Sequence, residues 1–271
     1  MKREVCLLAG AAAAALVCFA ADPVCRPQAP CYSGDSIVSA ASGAPAALAP
    51  NSLASIYGTG LSYVERAITG ADILAGELPT VLPGTGVRVL VGGIPAHIYY
   101  VSPGQVNFLI PSNIKPAAVT VQLTRDGTAG PAVQVTLREE APALFQLDLA
   151  TIVASHSDYS VVTREAPARP GEWIILWATG LGPVVPPAAY GKIPTQAAQI
   201  KQLDAFRVLL DGAPVPPSHI GYAGVAPGWG GLYQINVKLP DDAPVNPEIR
   251  IAIGDAASPE GLRLWAGPPG D

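Results

Sequence analysis

Charge is scarce in this 271-residue chain: 14% of its residues are Asp, Glu, Lys or Arg, and the formal net charge is −5. That balance argues against a basic surface for nucleic acid. Histidine is scarcer still, with His97, His156 and His219 the whole supply. Nucleophilic catalysis needs a serine or cysteine with a base and an orienting carboxylate, yet no Gly-x-Ser-x-Gly elbow occurs. Calcium loops of the Asp-x-Asp-x-Asp-Gly type are missing too. The glycine stretches Gly58-Thr-Gly60 and Gly228-Trp-Gly-Gly231 lack the lysine of a phosphate loop. Beyond residue 20 no run is apolar enough to span a bilayer, so no transmembrane segment is expected after signal cleavage. Long helices are excluded by the 28 glycines and 29 prolines, and only Thr195 to Asp204 has an amphipathic helical pattern. Disorder is excluded by a hydrophobic content of 49%.

What is present begins with a targeting signal. Lys2 and Arg3 precede an apolar run from Val5 to Ala20, and Cys18-Phe19-Ala20 puts small residues where a signal peptidase needs them. Residues 1–20 are thus expected to be a signal peptide, followed by a proline-rich tail over 21–35. Cys25 and Cys31 lie in that tail, and an even pair in an exported chain implies a disulfide that tethers it. Metal ligation is the rival, but two lone cysteines make a poor site.

The most informative feature is an internal repeat. Ser52-Leu-Ala-Ser-Ile-Tyr-Gly-Thr-Gly-Leu61 matches Glu172-Trp-Ile-Ile-Leu-Trp-Ala-Thr-Gly-Leu181, and Val87-Arg-Val-Leu-Val91 matches Phe206-Arg-Val-Leu-Leu210. His97-Ile-Tyr-Tyr100 then matches His219-Ile-Gly-Tyr222, and Gln105-Val-Asn-Phe-Leu-Ile-Pro111 matches Gln234-Ile-Asn-Val-Lys-Leu-Pro240. Before the last block the second copy gains extra residues, around Ala223 to Leu232. A repeat must be found before a fold is assigned. Within the units the period is two, as in Val119-Thr-Val-Gln-Leu-Thr124 and Glu248-Ile-Arg-Ile-Ala-Ile253, with turns at Asp126-Gly127 and Asp211-Gly212. The expected fold is all-β: two tandem immunoglobulin-like antiparallel β-sandwiches over 36–141 and 142–266, then a short tail over 267–271.

Several segments together resemble the Solibacter-type carboxy-terminal domain family: Ile37-Val-Ser-Ala-Ala-Ser42, Leu48-Ala-Pro50, Ile56-Tyr-Gly-Thr-Gly-Leu61, Tyr100-Val-Ser-Pro-Gly-Gln-Val-Asn107, Ala168-Arg-Pro-Gly171, Ala178-Thr-Gly-Leu-Gly-Pro183 and Gly231-Leu-Tyr-Gln-Ile-Asn236. The resemblance covers roughly residues 36–265. It implies a module of exported acidobacterial proteins, similar to IPT/TIG domains, and carries over no catalytic residues.

The candidate residues follow from these segments. Trp229 sits among glycines on the extra loop, flanked by Tyr222 and Tyr233, where an aromatic can stack on a sugar ring or anchor a protein. These three are the candidate ligand-binding residues; the alternative, which is favoured, has the loop folding back so that Trp229 caps the sandwich end or the inter-domain junction. Gln105 with Asn107 and Gln234 with Asn236 would bond loop backbone or, alternatively, present amides to a sugar. Trp173, Ile175 and Trp177 share one parity and are expected to enter the second core. Ser155-His-Ser-Asp158 is expected to be a solvated hairpin turn, and His97 and His219 to be surface positions, with a two-histidine metal site the alternative. No catalytic residue, metal or cofactor is assigned. The expected function is an exported, non-enzymatic binding or structural module of the cell envelope or extracellular space, with a glycan or a cell-envelope protein as partner. The rival is an exported hydrolase acting on glycans from the inter-domain cleft.

Overall fold

A computed structural model describes residues 25–45 and 47–267; the expected signal peptide over 1–20 and most of the carboxy-terminal tail lie outside the described residues. The protein is all-β, two tandem immunoglobulin-like antiparallel sandwiches. In the first unit one sheet runs, in spatial order, Ile37–Ser39, Leu53–Tyr57, Gln105–Leu109, His97–Val101, Arg66–Ala67. It faces a second sheet of Val133–Thr136, Ala118–Arg125, Val87–Val91 and Ile94–Pro95. The second unit repeats the plan. Trp173–Thr179 lies between Ala143–Leu144 with Ala154–His156 on one side and Tyr233–Lys238 on the other, followed by Ile220–Val225, Ala198–Ile200 and Val184–Val185. Its facing sheet holds Phe206–Leu210 and Ile249–Ile253 with two short edge strands.

The two-residue period explains both cores. Ala54 and Ile56, Val106 and Phe108, and Val87, Val89 and Val91 fill the first; Ile174, Leu176 and Ala178, Tyr233, Ile235 and Val237 fill the second. The Asp-Gly turns are as expected: Asp126 and Gly127, like Asp211 and Gly212, both have positive φ (48° and 79°, 45° and 81°), the two-residue turn that matches strand twist.

Three expectations change. Thr195 to Asp204 is not helical: Ala198–Ile200 is a strand with Ala198 and Ile200 buried and Gln199 exposed, and Leu203–Ala205 is a single 3-10 turn. The amino-terminal tail is more than a tether. Cys25 and Cys31 are joined with Cα atoms 5.3 Å apart, Cys31 pairs through its backbone with Thr59, and Tyr32 enters the first core, its hydroxyl accepting from Leu123 N. His97 is not at the surface. A bulge between Ile98 and Tyr100 shifts the strand register, and the ring, 3% exposed, donates from Nδ1 to Leu78 O and stands edge-on to Tyr190. Burial pushes its pKa down, against the Leu78 carbonyl and Glu77, which favour the charged form.

His97 sits in the joint between the units. There Leu78 N donates to Gly191 O at 2.8 Å and Ile193 N to Gly76 O at 2.9 Å. These bonds bracket an ion pair of Lys192 with Glu77 at 2.7 Å. Leu53 N donates to Thr179 Oγ1, which donates in turn to Gly231 O. No helix among the described residues is long and apolar enough to cross a membrane.

Candidate functional site

The Trp173–Thr179 strand places its two tryptophans on the outer face of the sheet, the reverse of the expected parity. Ile174, Leu176 and Ala178 point into the core, so Trp173, Ile175 and Trp177 point out. Both parities are apolar over this stretch, so alternation alone does not choose between them. The first copy does choose: at the equivalent positions, Ser55 is polar and lies on the Tyr57 parity, opposite Ala54 and Ile56.

Glycines on the Ile220–Val225 strand, one strand beyond Tyr233–Lys238, make a floor for the rings of Trp173 and Tyr222. Trp173 is 42% exposed and lies over Gly221, where a Cβ would stand 2.9 Å from the indole. Tyr222 lies down over Gly224, its hydroxyl donating toward Val225 O (2.8 Å) and Ala198 O (3.2 Å). Trp177 is held by its Nε1–H donating to Ser155 Oγ at 3.0 Å, and the 63% exposed Tyr159 stacks beside it at 6.5 Å between centroids. Four residues of strand separate Trp173 from Trp177, about 13 Å, the length of two to three pyranose rings.

Between the aromatics run two amides. Gln234 Nε2 donates to Asn236 Oδ1 at 2.8 Å, which fixes both side chains. Among the described residues Gln234 Oε1 and Asn236 Nδ2 have no partner, so the pair presents one acceptor and one donor outward. The amides bond each other rather than loop backbone, unlike the favoured expectation. Register puts Asn236 beside Tyr222 and Ile175, and Gln234 beside Trp177 and Gly224. Lys238, next to Trp173, is the charged group at one edge.

No family model matches the chain, and no curated protein matches it. Among solved structures it is similar to SGBP-B of the Bacteroides ovatus mixed-linkage glucan utilization locus in complex with mixed-linkage heptasaccharide, at 12% identity over 89% of this chain and 46% of that one, TM-score 0.34. It is similar also to the surface glycan-binding protein PbSGBP-B from Prevotella bryantii, at 10% identity over 80% of this chain and 37% of that one, TM-score 0.27. A third likeness is to the tandem Ig repeats of Dlar, at 11% identity over 88% and 94%, TM-score 0.21. The chain thus spans less than half the length of the two glycan-binding proteins. At such identity and overlap, what this chain binds has to be read from its own surface.

The three candidates at the extra loop separate. Tyr233 is 0% exposed and cannot meet a ligand: its hydroxyl donates to Gly182 O at 2.6 Å, and burial pushes its pKa up to about 12. Tyr222 joins the outer face just described. Trp229 is 57% exposed, so it caps neither the sandwich nor the junction. Its neighbours do the docking instead: Gly230 O accepts from Tyr99 OH at 2.9 Å, and a side chain at Gly231 would strike Leu109 and Leu53.

The histidine-containing segments have local partners. Ser155-His-Ser-Asp158 is a hairpin turn, and no triad forms: Ser155 is buried against Trp177, while His156 bonds Glu172 Oε1 through Nδ1 at 2.6 Å and Ala166 O through Nε2 at 3.1 Å. His156 and Glu172 border an open groove of about 590 Å³ with Glu165 and Arg169. His219 lies on a 3-10 turn with Nδ1 at 3.1 Å from Lys238 O. Among the described residues no group of three His, Cys, Asp or Glu could hold a metal ion. In the cleft between units, a groove of about 600 Å³ is lined by Glu140, Asp255, Glu260, Arg138 and Arg250. Glu260 pairs with Arg250 at 2.7 Å. Burial, with neighbouring Glu139, holds the Glu140 carboxyl above its usual range, against a hydrogen bond from Gln202.

Proposed function

We propose that this protein is a non-catalytic glycan-binding module whose site is the outer sheet face of the second unit. The observation that carries the reading is the combination on one face of flat aromatic rings and an oriented amide pair. Trp173 and Trp177 offer planes for the apolar faces of sugar rings, and Gln234 Oε1 with Asn236 Nδ2 offers an acceptor and a donor suited to hydroxyls. Apart from Lys238 at one edge, the polar groups of the face are neutral amides and hydroxyls, which favours a neutral glycan over a charged one. We place the module at the cell envelope or outside the cell. The Lys2-Arg3 segment with its apolar run supports export, as do the Cys25–Cys31 disulfide and the resemblance to exported acidobacterial modules.

The test is affinity electrophoresis of the full chain in gels containing mixed-linkage β-glucan, xyloglucan or galactomannan. Retardation by at least one polymer, clearly weakened by Trp177→Ala and by Gln234→Ala with unfolding midpoints retained, supports the site. Unretarded wild-type protein in all three gels, or variants that bind as well as wild type, overturns it.

The rival reading, a glycan hydrolase in the cleft, has the raised carboxyl of Glu140 in its favour. Release of reducing sugar from the same polymers, lost in Glu140→Gln, would establish it.

A further inference from the structure

We propose that the first unit carries a second glycan site, on the open half of its own outer sheet face, built from Tyr57, Tyr100, Gln105 and Asn107. The inference rests on the glycan reading of the second unit; the residues are different, and what carries it is that the same polar device is built twice.

Gln105 Nε2 donates to Asn107 Oδ1 at 2.8 Å, the distance and direction found for Gln234 and Asn236. Here the orientation is held harder, because Ser55 Oγ also donates to Asn107 Oδ1 at 2.8 Å. Among the described residues Gln105 Oε1 and Asn107 Nδ2 have no partner, so the same acceptor and donor face outward. A pair of amides needed only for folding would not have to leave the same two atoms free in both copies.

The aromatics keep their register as well. Tyr57 holds the position of Trp177, paired across from Gln105 as Trp177 is paired across from Gln234. It is 43% exposed. Tyr100 holds the position of Tyr222, beside Asn107 as Tyr222 is beside Asn236, and its hydroxyl is fixed by donating to Glu65 Oε1 at 3.0 Å. The adjacent Arg66 is paired with Asp72 at 2.6 Å, so the Glu65 carboxylate on Tyr100 is the charge at this edge, and the site disfavours an anionic glycan.

The other half of the face is lost to the joint. Leu53, at the position of Trp173, packs on the Gly231 segment with Leu109, and Tyr99, at the position of Gly221, reaches Gly230. The strand Leu53–Tyr57 therefore offers one ring, a tyrosine, where Trp173–Thr179 offers two tryptophans. The first-unit site is the weaker of the two, and its effect is greatest on polymers long enough to reach both units, where the second contact becomes intramolecular.

The experiment uses the full chain and whichever of mixed-linkage β-glucan, xyloglucan or galactomannan retards it most, as intact polymer and as its short oligosaccharides. Calorimetry with the oligosaccharides should give two sites per wild-type chain, and one in both Tyr57→Ala and Gln105→Ala. Affinity for the intact polymer should fall at least ~10-fold in each variant, while the remaining oligosaccharide site keeps the wild-type affinity of the stronger one. Trp177→Ala should retain the weaker site. One oligosaccharide per wild-type chain with Tyr57→Ala and Gln105→Ala unchanged, or complete loss of binding in Trp177→Ala, overturns the second site and leaves the first standing. Wild-type protein that binds none of the three polymers overturns the parent reading instead.

Discussion

The Tyr99 hydroxyl of the first unit donates to the Gly230 carbonyl of the second at 2.9 Å, and the position equivalent to Tyr99 in the second unit is Gly221. At one bulge a tyrosine reaches out to join the units; at the other a glycine leaves the floor on which Trp173 lies. Tyr99→Phe strands a carbonyl at the joint, and the expected loss is about 1–3 kcal/mol, read from urea unfolding of the full chain. A change within ~0.5 kcal/mol, the range of ordinary surface substitutions, would show that the joint does not depend on this bond.

Gly221→Ala tests the floor. The new Cβ meets the Trp173 ring inside contact distance, so the indole should lift into solvent. Acrylamide quenching of tryptophan emission should rise relative to wild type, and the increase should vanish in a Trp173→Phe background. Equal quenching in Gly221→Ala and wild type would place the ring elsewhere.

Burial reverses the places expected for two aromatics, Tyr233 at a ligand and Trp173 in the core. Tyr233→Ala empties a fully buried site and should cost about 3–5 kcal/mol. Trp173→Ala removes a ring that is nearly half exposed and should cost about 1 kcal/mol or less. Equilibrium unfolding of the two variants decides the matter, and similar losses would contradict the assigned parity.

The repeat and the two-residue period made the paired sandwiches legible from the residues, because each unit writes its core parity several times over. The site was less legible. Along Trp173-Ile-Ile-Leu-Trp177 both faces are apolar, since a glycine two strands away lets a large ring lie on the outside; only Ser55 in the other copy marks which parity meets water. His97 failed for a different reason: its equivalent His219 is half-exposed, and a joint between units buries one copy of a surface while leaving the other open. The capping role expected for Trp229 does not hold, because the glycines around it, not the indole, carry the contact, and the ring stays exposed.

His156 should give the fold a pH dependence. Burial lowers its pKa, but the hydrogen bond to Glu172, the Ala166 carbonyl and the charges of Glu172 and Asp158 more than reverse this, so the folded value lies above 6.5. The stabilisation is fully present below the unfolded pKa and is lost as pH rises through the folded value. Melting temperatures followed upward from pH 6.5 should fall more steeply for wild type than for His156→Gln, and parallel curves would remove the pair as the source.

The cysteine pair makes a modest contribution. Closing so short a loop is worth about 2 kcal/mol or less, so Cys25→Ser with Cys31→Ser should fold and lose no more than that. Its local effect should be larger: Gln28 O, inside the loop, accepts from Arg125 Nη2 at 2.6 Å, and limited proteolysis should cut the variant near Gln28 before wild type. A free-thiol assay on the protein recovered after export that finds two thiols would contradict the bridge.

The contacts between the units are backbone bonds in register, Leu78 with Gly191 and Ile193 with Gly76, closed over by the Glu77–Lys192 pair and by Leu53 with Thr179. Bonds arranged this way share a load and fail together. A chain gripped through sugar at one unit and dragged by the other would carry the tension through a latch, not a pivot. Its two sheet faces would keep their mutual aim until the latch opened.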